Sequence, residues 1–168
     1  MFKKILGAAF ILISSLFISK TITESLKRRT ESLKSFERLL VLLESEINYA
    51  NNPLEVAFSN ISQSVTLGGF LPFILSNLNA DGIKSSWQKG IKKFKKELAL
   101  SDGDTKILLS FASQLGSTDR DNQRKNIQYT IKLLEPFIQD AEENYRTLSK
   151  LYRNISFYAG IGTIILLI

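Results

Sequence analysis

The sequence predicts an all-α protein, an antiparallel bundle of about six helices with a hydrophobic membrane segment at each end of the chain. Three observations carry this. Apolar residues recur at helical spacing across the middle of the 168-residue chain. No stretch alternates with the period of a strand, and no Asn-Gly or Asp-Gly pair sits between two such runs. Both ends are uncharged and apolar, while the middle is charged. Three parts follow: an anchor at 1–19, a helical domain at 20–154 and a second membrane segment at 155–168.

Residues 5–19, ILGAAFILISSLFIS, lie between Lys4 and Lys20. At 1.5 Å per residue they fall short of the ~20 residues that span a bilayer. A cleaved signal peptide wants small residues at the cut, and Phe17-Ile18-Ser19 puts Phe where one belongs. A buried core helix wants a polar face, which is absent until Ser14 and Ser15. The pattern fits an anchor whose lysines reach the headgroups.

Leu26, Leu33, Phe36, Leu40, Leu43, Ile47 and Ala50 then form one apolar stripe, predicting a helix over 21–50. Asn52-Pro53-Leu54-Glu55 reads as a helix start, with Asn52 as cap, Pro53 in the first turn and Glu55 three residues on. The second helix covers 53–66. Gly68-Gly69 and the stretch from Asn79 to Gly82 separate helices at 70–78 and 82–98, the latter carrying the stripe Ile83, Trp87, Ile91, Phe94 and Leu98. Ser101 or Asp102 can cap a helix at 103–115, and Gly116 supplies its left-handed stop.

The last helix, 118–154, starts at Thr118 with Asp121 three residues on. From Ile127 to Ile155 its apolar residues hold a 4-3 spacing that continues into ISFYAGIGTIILLI, residues 155–168. Arg146, Lys150, Tyr152 and Arg153 make a basic and aromatic collar before that segment. Pro136 removes one backbone donor inside this run, which predicts a kink near Glu135 or a short break.

Charge sets topology and excludes chemistry. Lys20, Lys27, Arg28, Arg29, Lys34, Arg146, Lys150 and Arg153 flank the middle, against Lys3, Lys4 and the terminal amine outside it. This bias places residues 20–154 in the cytoplasm. The chain has 22 Lys plus Arg against 16 Asp plus Glu, and neither Cys nor His. That excludes disulfides, zinc sites of the Cys/His kind and histidine acid-base catalysis. No catalytic, cofactor or metal site is expected, and no nucleic-acid motif accompanies the basic residues. Glu44 and Glu46 are two apart on a helix, facing different ways, and no glycine-rich phosphate loop exists.

Two groups of residues remain as candidates for contact. Capping accounts for Asn52, Pro53, Glu55, Thr118 and Asp121, and leaves Glu44, Asn51, Asp119, Arg120 and Gln123 as a partner-facing surface at the two corners. Arg120 and Gln123 are expected to project from the helix start. Lys84, Lys89, Lys92, Lys93, Lys95 and Lys96 surround the Trp87 stripe as a basic face, either solvated or in contact with anionic lipid or an acidic partner.

Glu44-x-Glu46-Ile47-x-Tyr49 with Pro53-Leu54-x-x-Ala57, then Leu115-Gly116-x-x-Asp119-x-x-x-Gln123, resemble the two hallmark segments of the stage III sporulation protein AB family. The likeness extends over the whole chain, through Trp87 and the long last helix. It implies a non-enzymatic membrane scaffold in the complex joining mother cell and forespore, on the mother-cell side of the forespore outer membrane. The helical domain of that family is similar to that of the inner-membrane platform protein of type II secretion and type IV pilus machines. The resemblance implies a secretion-type ATPase and other channel membrane proteins as partners, alongside the lipid bilayer. The alternative is a membrane-anchored adaptor, outside any such machine, that self-associates as a homo-oligomer through its heptad seam.

Overall fold

The computed structural model describes residues 2–50, 53–116 and 119–167. Five α-helices follow one another: α1 Phe2–Ser45, α2 Leu54–Ser62, α3 Phe70–Phe94, α4 Asp102–Gln114 and α5 Arg120–Leu167. A π-helical turn, Glu46–Ala50, ends α1. No strand occurs among the described residues, where the only pairing is an isolated bridge between Leu67 and Gly69.

The helical middle agrees closely with the sequence pattern. Gly82, at φ 70°, breaks α3 into two runs, which recovers the separate helices expected there. Ala99 ends the second run in the left-handed region at φ 53°, and the Leu100 amide reaches back to the Lys95 carbonyl at 2.9 Å. This is a Schellman closure built without glycine. The expected second helix is shorter, because the chain leaves helical geometry after Ser62. There the Gly69 amide donates to the Glu97 carboxylate at 3.2 Å.

Pro136 does not interrupt α5, which runs through it. The proline and Lys132, whose carbonyl loses its bond, are both exposed, so water can serve that carbonyl. The terminal segments also differ from expectation. They are the ends of α1 and α5, and among the described residues no helix is long and apolar enough to cross a membrane. Charges from Lys20 onward and before Arg153 cut the uncharged runs short.

Contacts divide the chain into two compact units, one of residues 29–139 and one of residues 1–28 with 140–168. The larger unit is organised around Trp87, which is fully buried. Its ring meets Phe36 of α1 at 6.0 Å, Phe58 of α2 at 5.9 Å, Phe70 of the first run of α3 at 5.1 Å and Phe111 of α4 at 5.2 Å. The indole N–H donates to the Leu108 carbonyl at 2.9 Å.

Side-chain pairs fix the directions. Gly103 lies against Phe137 and the Gln114 carbonyl bonds Gln123, so α4 and α5 are antiparallel. Trp87 with Leu108 and Lys95 with Asp102 set the second run of α3 antiparallel to α4. In the smaller unit α1 and α5 expose large apolar side chains, among them Phe10, Phe17, Phe157 and Tyr158 at 62–74%.

A charged pair with a fully buried carboxylate lies inside the larger unit. The Arg29 guanidinium donates to both oxygens of Asp104, at 2.8 and 3.0 Å, and Asp104 is fully buried. Asp104 also completes a capping box on α4: it accepts from the Ser101 amide at 2.8 Å, and its own amide donates to the Ser101 hydroxyl at 3.1 Å. Burial alone would raise the carboxyl, but the bonds from Arg29 and Ser101 outweigh it and hold the group below its ordinary 3.8. A carboxylate depressed in the fold contributes stability above its unfolded value and loses it as pH falls through the folded one. Asp104→Asn should therefore cost about 3–5 kcal/mol at neutral pH, by removing the charge that faces Arg29. The gap between variant and parent should narrow as pH falls below 3.8. Urea unfolding followed by circular dichroism measures it, and a gap independent of pH would contradict this account.

Candidate functional site

The two corners that flank the short helices form one region of the larger unit. At the first, α1 passes through the π-turn into Pro53, whose carbonyl accepts from Ala57 at 3.0 Å. Ala57 and Phe58 then bury the inner face of α2. Pro53 stands just outside α2, one position earlier than its expected place in the first turn. At the second corner, Leu115 is buried and Gly116 turns left-handed at φ 74°. A β-carbon on Gly116 would meet Ile83 at 3.0 Å and Leu54 at 3.6 Å. Gly116 therefore allows both a backbone conformation and a close approach that other residues resist. Leu54 and Gly116 belong to the two different corners, so this contact joins them.

Polar contacts add to the join. Glu44, half-buried, accepts from the Gln128 amide at 2.6 Å. Glu46 accepts from Asn60 of α2 at 3.3 Å. These two glutamates meet different helices, as their spacing requires.

The structure assigns the other corner residues unequal roles. Asp119 is the cap of α5: its carboxylate accepts from the Asn122 amide at 2.9 Å. Capping was expected of Thr118, which lies outside the described residues, as do Asn51 and Asn52. Gln123 does not project outward. It is 5% exposed, and its side-chain amide donates to the Gln114 carbonyl at 3.1 Å, tying the end of α4 to the start of α5. Asn126, one turn on and also buried, repeats this with the Phe111 carbonyl at 3.3 Å. The signal was present: Gln123, Asn126 and Thr130 precede Leu134 on the buried stripe at spacings of 3, 4 and 4. Arg120 is exposed at the first position of α5.

The lysines of α3 and its following turn also divide. Lys84, Lys89, Lys92, Lys93 and Lys96 are exposed. Lys89 pairs with Asp81 at 2.8 Å, and Lys93 lies over the Phe73 ring at 4.4 Å. Lys95 is half-buried and drawn to Asp102, which holds that carboxyl below its usual value. Among the described residues no group of three or more acidic side chains is placed to hold a metal ion.

These roles separate folding from contact. Gln123→Ala should cost about 1–3 kcal/mol, since it removes a buried side chain and its bond to the Gln114 carbonyl. Asp119→Ala should cost about 1 kcal/mol through lost capping, whereas Arg120→Ala should stay within about 0.5 kcal/mol of the parent. Chemical denaturation of the three variants checks the order, and a large loss at Arg120 would give that side chain a place in the fold.

Comparison with known proteins agrees with the corner motifs. The family model of stage III sporulation protein AB matches residues 4–168. A protein of Bacillus subtilis (strain 168) named stage III sporulation protein AB is 27% identical over 168 residues, covering 98% of each chain. A solved structure of a stage III sporulation protein AB superposes with a TM-score of 0.63 at 27% identity, over 70% of this chain and 96% of its own.

Proposed function

The chain belongs to the stage III sporulation protein AB family, and from that premise we propose that it is a non-enzymatic membrane scaffold of the channel complex between mother cell and forespore. In this role it couples a secretion-type ATPase to a transenvelope apparatus, with its helical domain in the mother-cell cytoplasm.

One observation supports the membrane placement above others. The two units differ in their large apolar side chains: among the described residues the larger exposes only Val41, Val56 and Tyr129. The larger buries Phe36, Phe58, Phe70, Trp87 and Phe111 almost completely. The smaller exposes Phe10 at 74%, Phe17 at 71%, Tyr158 at 69% and Ile155 at 52%. Exposed apolar surface on this scale marks a region that lipid or protein covers. Lipid is the cover that the basic flanks favour. The terminal runs are short, so anchoring relies on their flanking lysines and arginines reaching the headgroups.

The joined corners are the proposed contact for the ATPase, through Glu44 and Arg120, with Asn51, which lies outside the described residues, next to them in sequence. Among the described residues Glu44 bonds the exposed Gln128, and Arg120 is exposed, so the fold makes small use of either. The adaptor reading has less support. Ile127, Leu134, Ile138 and Ala141, the first half of the heptad seam, are buried within the chain's own fold.

Two measurements test this reading. The chain has no cysteine, so single cysteines at the exposed Ser25 and Ser59 report topology cleanly. Both should react with a membrane-impermeant thiol reagent only after cells are opened, and labelling of intact cells would overturn the orientation. Glu44→Ala and Arg120→Ala proteins should melt within a few degrees of the parent while spore formation and ATPase capture fall. Normal sporulation by both would remove the corners from partner binding.

A further inference from the structure

We propose that the lysine face of the second run of α3 is a docking surface for the anionic headgroups of a phospholipid bilayer. The inference rests on the membrane placement proposed above and adds a second, peripheral contact made by the larger unit.

The distribution of charge on this face argues against a role in solubility alone. Lys89, Lys92, Lys93 and Lys96 are spaced 3 and 4 apart, so like charges neighbour each other along the helix surface. Such pairs destabilise a helix. Two positions of the face are relieved, Lys89 by Asp81 and Lys95 by Asp102. Lys84, Lys92 and Lys96 are exposed and form no ion pair among the described residues. Elsewhere the same chain solves the solubility problem differently: the exposed surface of α1 interleaves Glu24, Lys27, Arg28, Glu31, Lys34 and Arg38.

Residue type favours lipid over protein. Residues 82–98 contain six lysines and no arginine, although the chain uses arginine freely in other helices. Arginine is the cation suited to bidentate pairing with carboxylates, and lysine is depleted in protein interfaces. A row of compact ammonium charges suits a diffuse anionic surface instead. No large apolar side chain of residues 83–96 is strongly exposed, so the contact is electrostatic and does not insert. Lys93, stacked on Phe73 and Phe94 at 4.4 and 5.3 Å, is held on the surface by their rings.

The full chain carrying Gln88→Cys labelled with a small fluorophore tests this, because Gln88 lies between Lys84 and Lys92 and no native cysteine competes. The protein is reconstituted into vesicles of phosphatidylcholine, alone or with roughly a third phosphatidylglycerol, and collected by flotation. Quenching by acrylamide, a neutral probe, should fall in the anionic vesicles. The protection should vanish in about 0.5 M salt, where screening is strong. It should weaken roughly fivefold for each lysine removed, so Lys92→Glu with Lys96→Glu abolishes it.

Failure to float in either vesicle refutes the membrane placement itself. Flotation with equal quenching in both vesicles overturns only the docking surface. Protection by added polyglutamate but not by phosphatidylglycerol also overturns it, and assigns the face to an acidic protein.

Discussion

The larger unit depends on the placement of one indole. α2 has nine residues and α4 thirteen, lengths at which isolated helices are marginal in water. Each holds its shape by packing, and each packs an aromatic ring on Trp87, as do α1 and the first run of α3. Three of these four contacts are edge-on, and such pairs are worth about 0.5–1.5 kcal/mol each beyond the area they bury. The indole N–H adds direction to what would otherwise be an adaptable apolar cluster. Its bond to the Leu108 carbonyl sets the depth of α3 against α4. Gly90 completes the arrangement, since a β-carbon there would meet Phe70 at 2.9 Å and Ile74 at 3.1 Å. The chain's single tryptophan and this glycine, three residues apart, therefore fix how closely the two runs of α3 approach.

Polar groups inside the unit fix register where apolar packing alone would tolerate slippage. Arg29 and Asp104 form a two-bond fork, and Asp104 closes the capping box of α4 with the same carboxylate. One residue thereby ties the start of a helix to a distant helix. Gln123 and Asn126 do the equivalent at the other end of α4, taking the Gln114 and Phe111 carbonyls. α4 is thus held at both ends by side-chain hydrogen bonds from buried residues, and in its middle by Trp87.

What the sequence revealed follows from the range of each interaction. Stripes such as Leu33, Phe36, Leu40 and Leu43 are periodic over a few turns, and all four are fully buried. The Ser101 cap and the Gly116 stop are local too, and both appear as expected. Arg29 and Asp104 are 75 positions apart, so no local pattern announces their pairing. Gln123 is hard to place for another reason: counting from a helix start at Thr118 makes it project outward, while the buried stripe it shares with Asn126 and Thr130 begins earlier than the apolar run. Pro136 predicts a kink or a short break because its missing donor is a local fact, whereas the exposure that makes it tolerable depends on the tertiary fold.

The same reasoning narrows the meaning of the corner motifs. Leu115 fills the core, Gly116 permits the approach of Leu54, Asp119 caps α5, Gln123 binds α4, and Ala57 packs without exposure. Most of the signature is therefore explained by building one joint from two distant turns. A pattern that served only the joint would not need Glu44, whose bond is to the exposed Gln128. It would not need a five-residue π-turn at Glu46–Ala50 either, since an α-helix ends more simply. π-Helical turns are rare and concentrate at functional sites, because they shift the side chains that follow relative to those before. Here the turn separates Glu44, which faces α5, from Glu46, which faces α2. The joint supplies rigidity, and the turn sets how the few remaining polar side chains are displayed upon it.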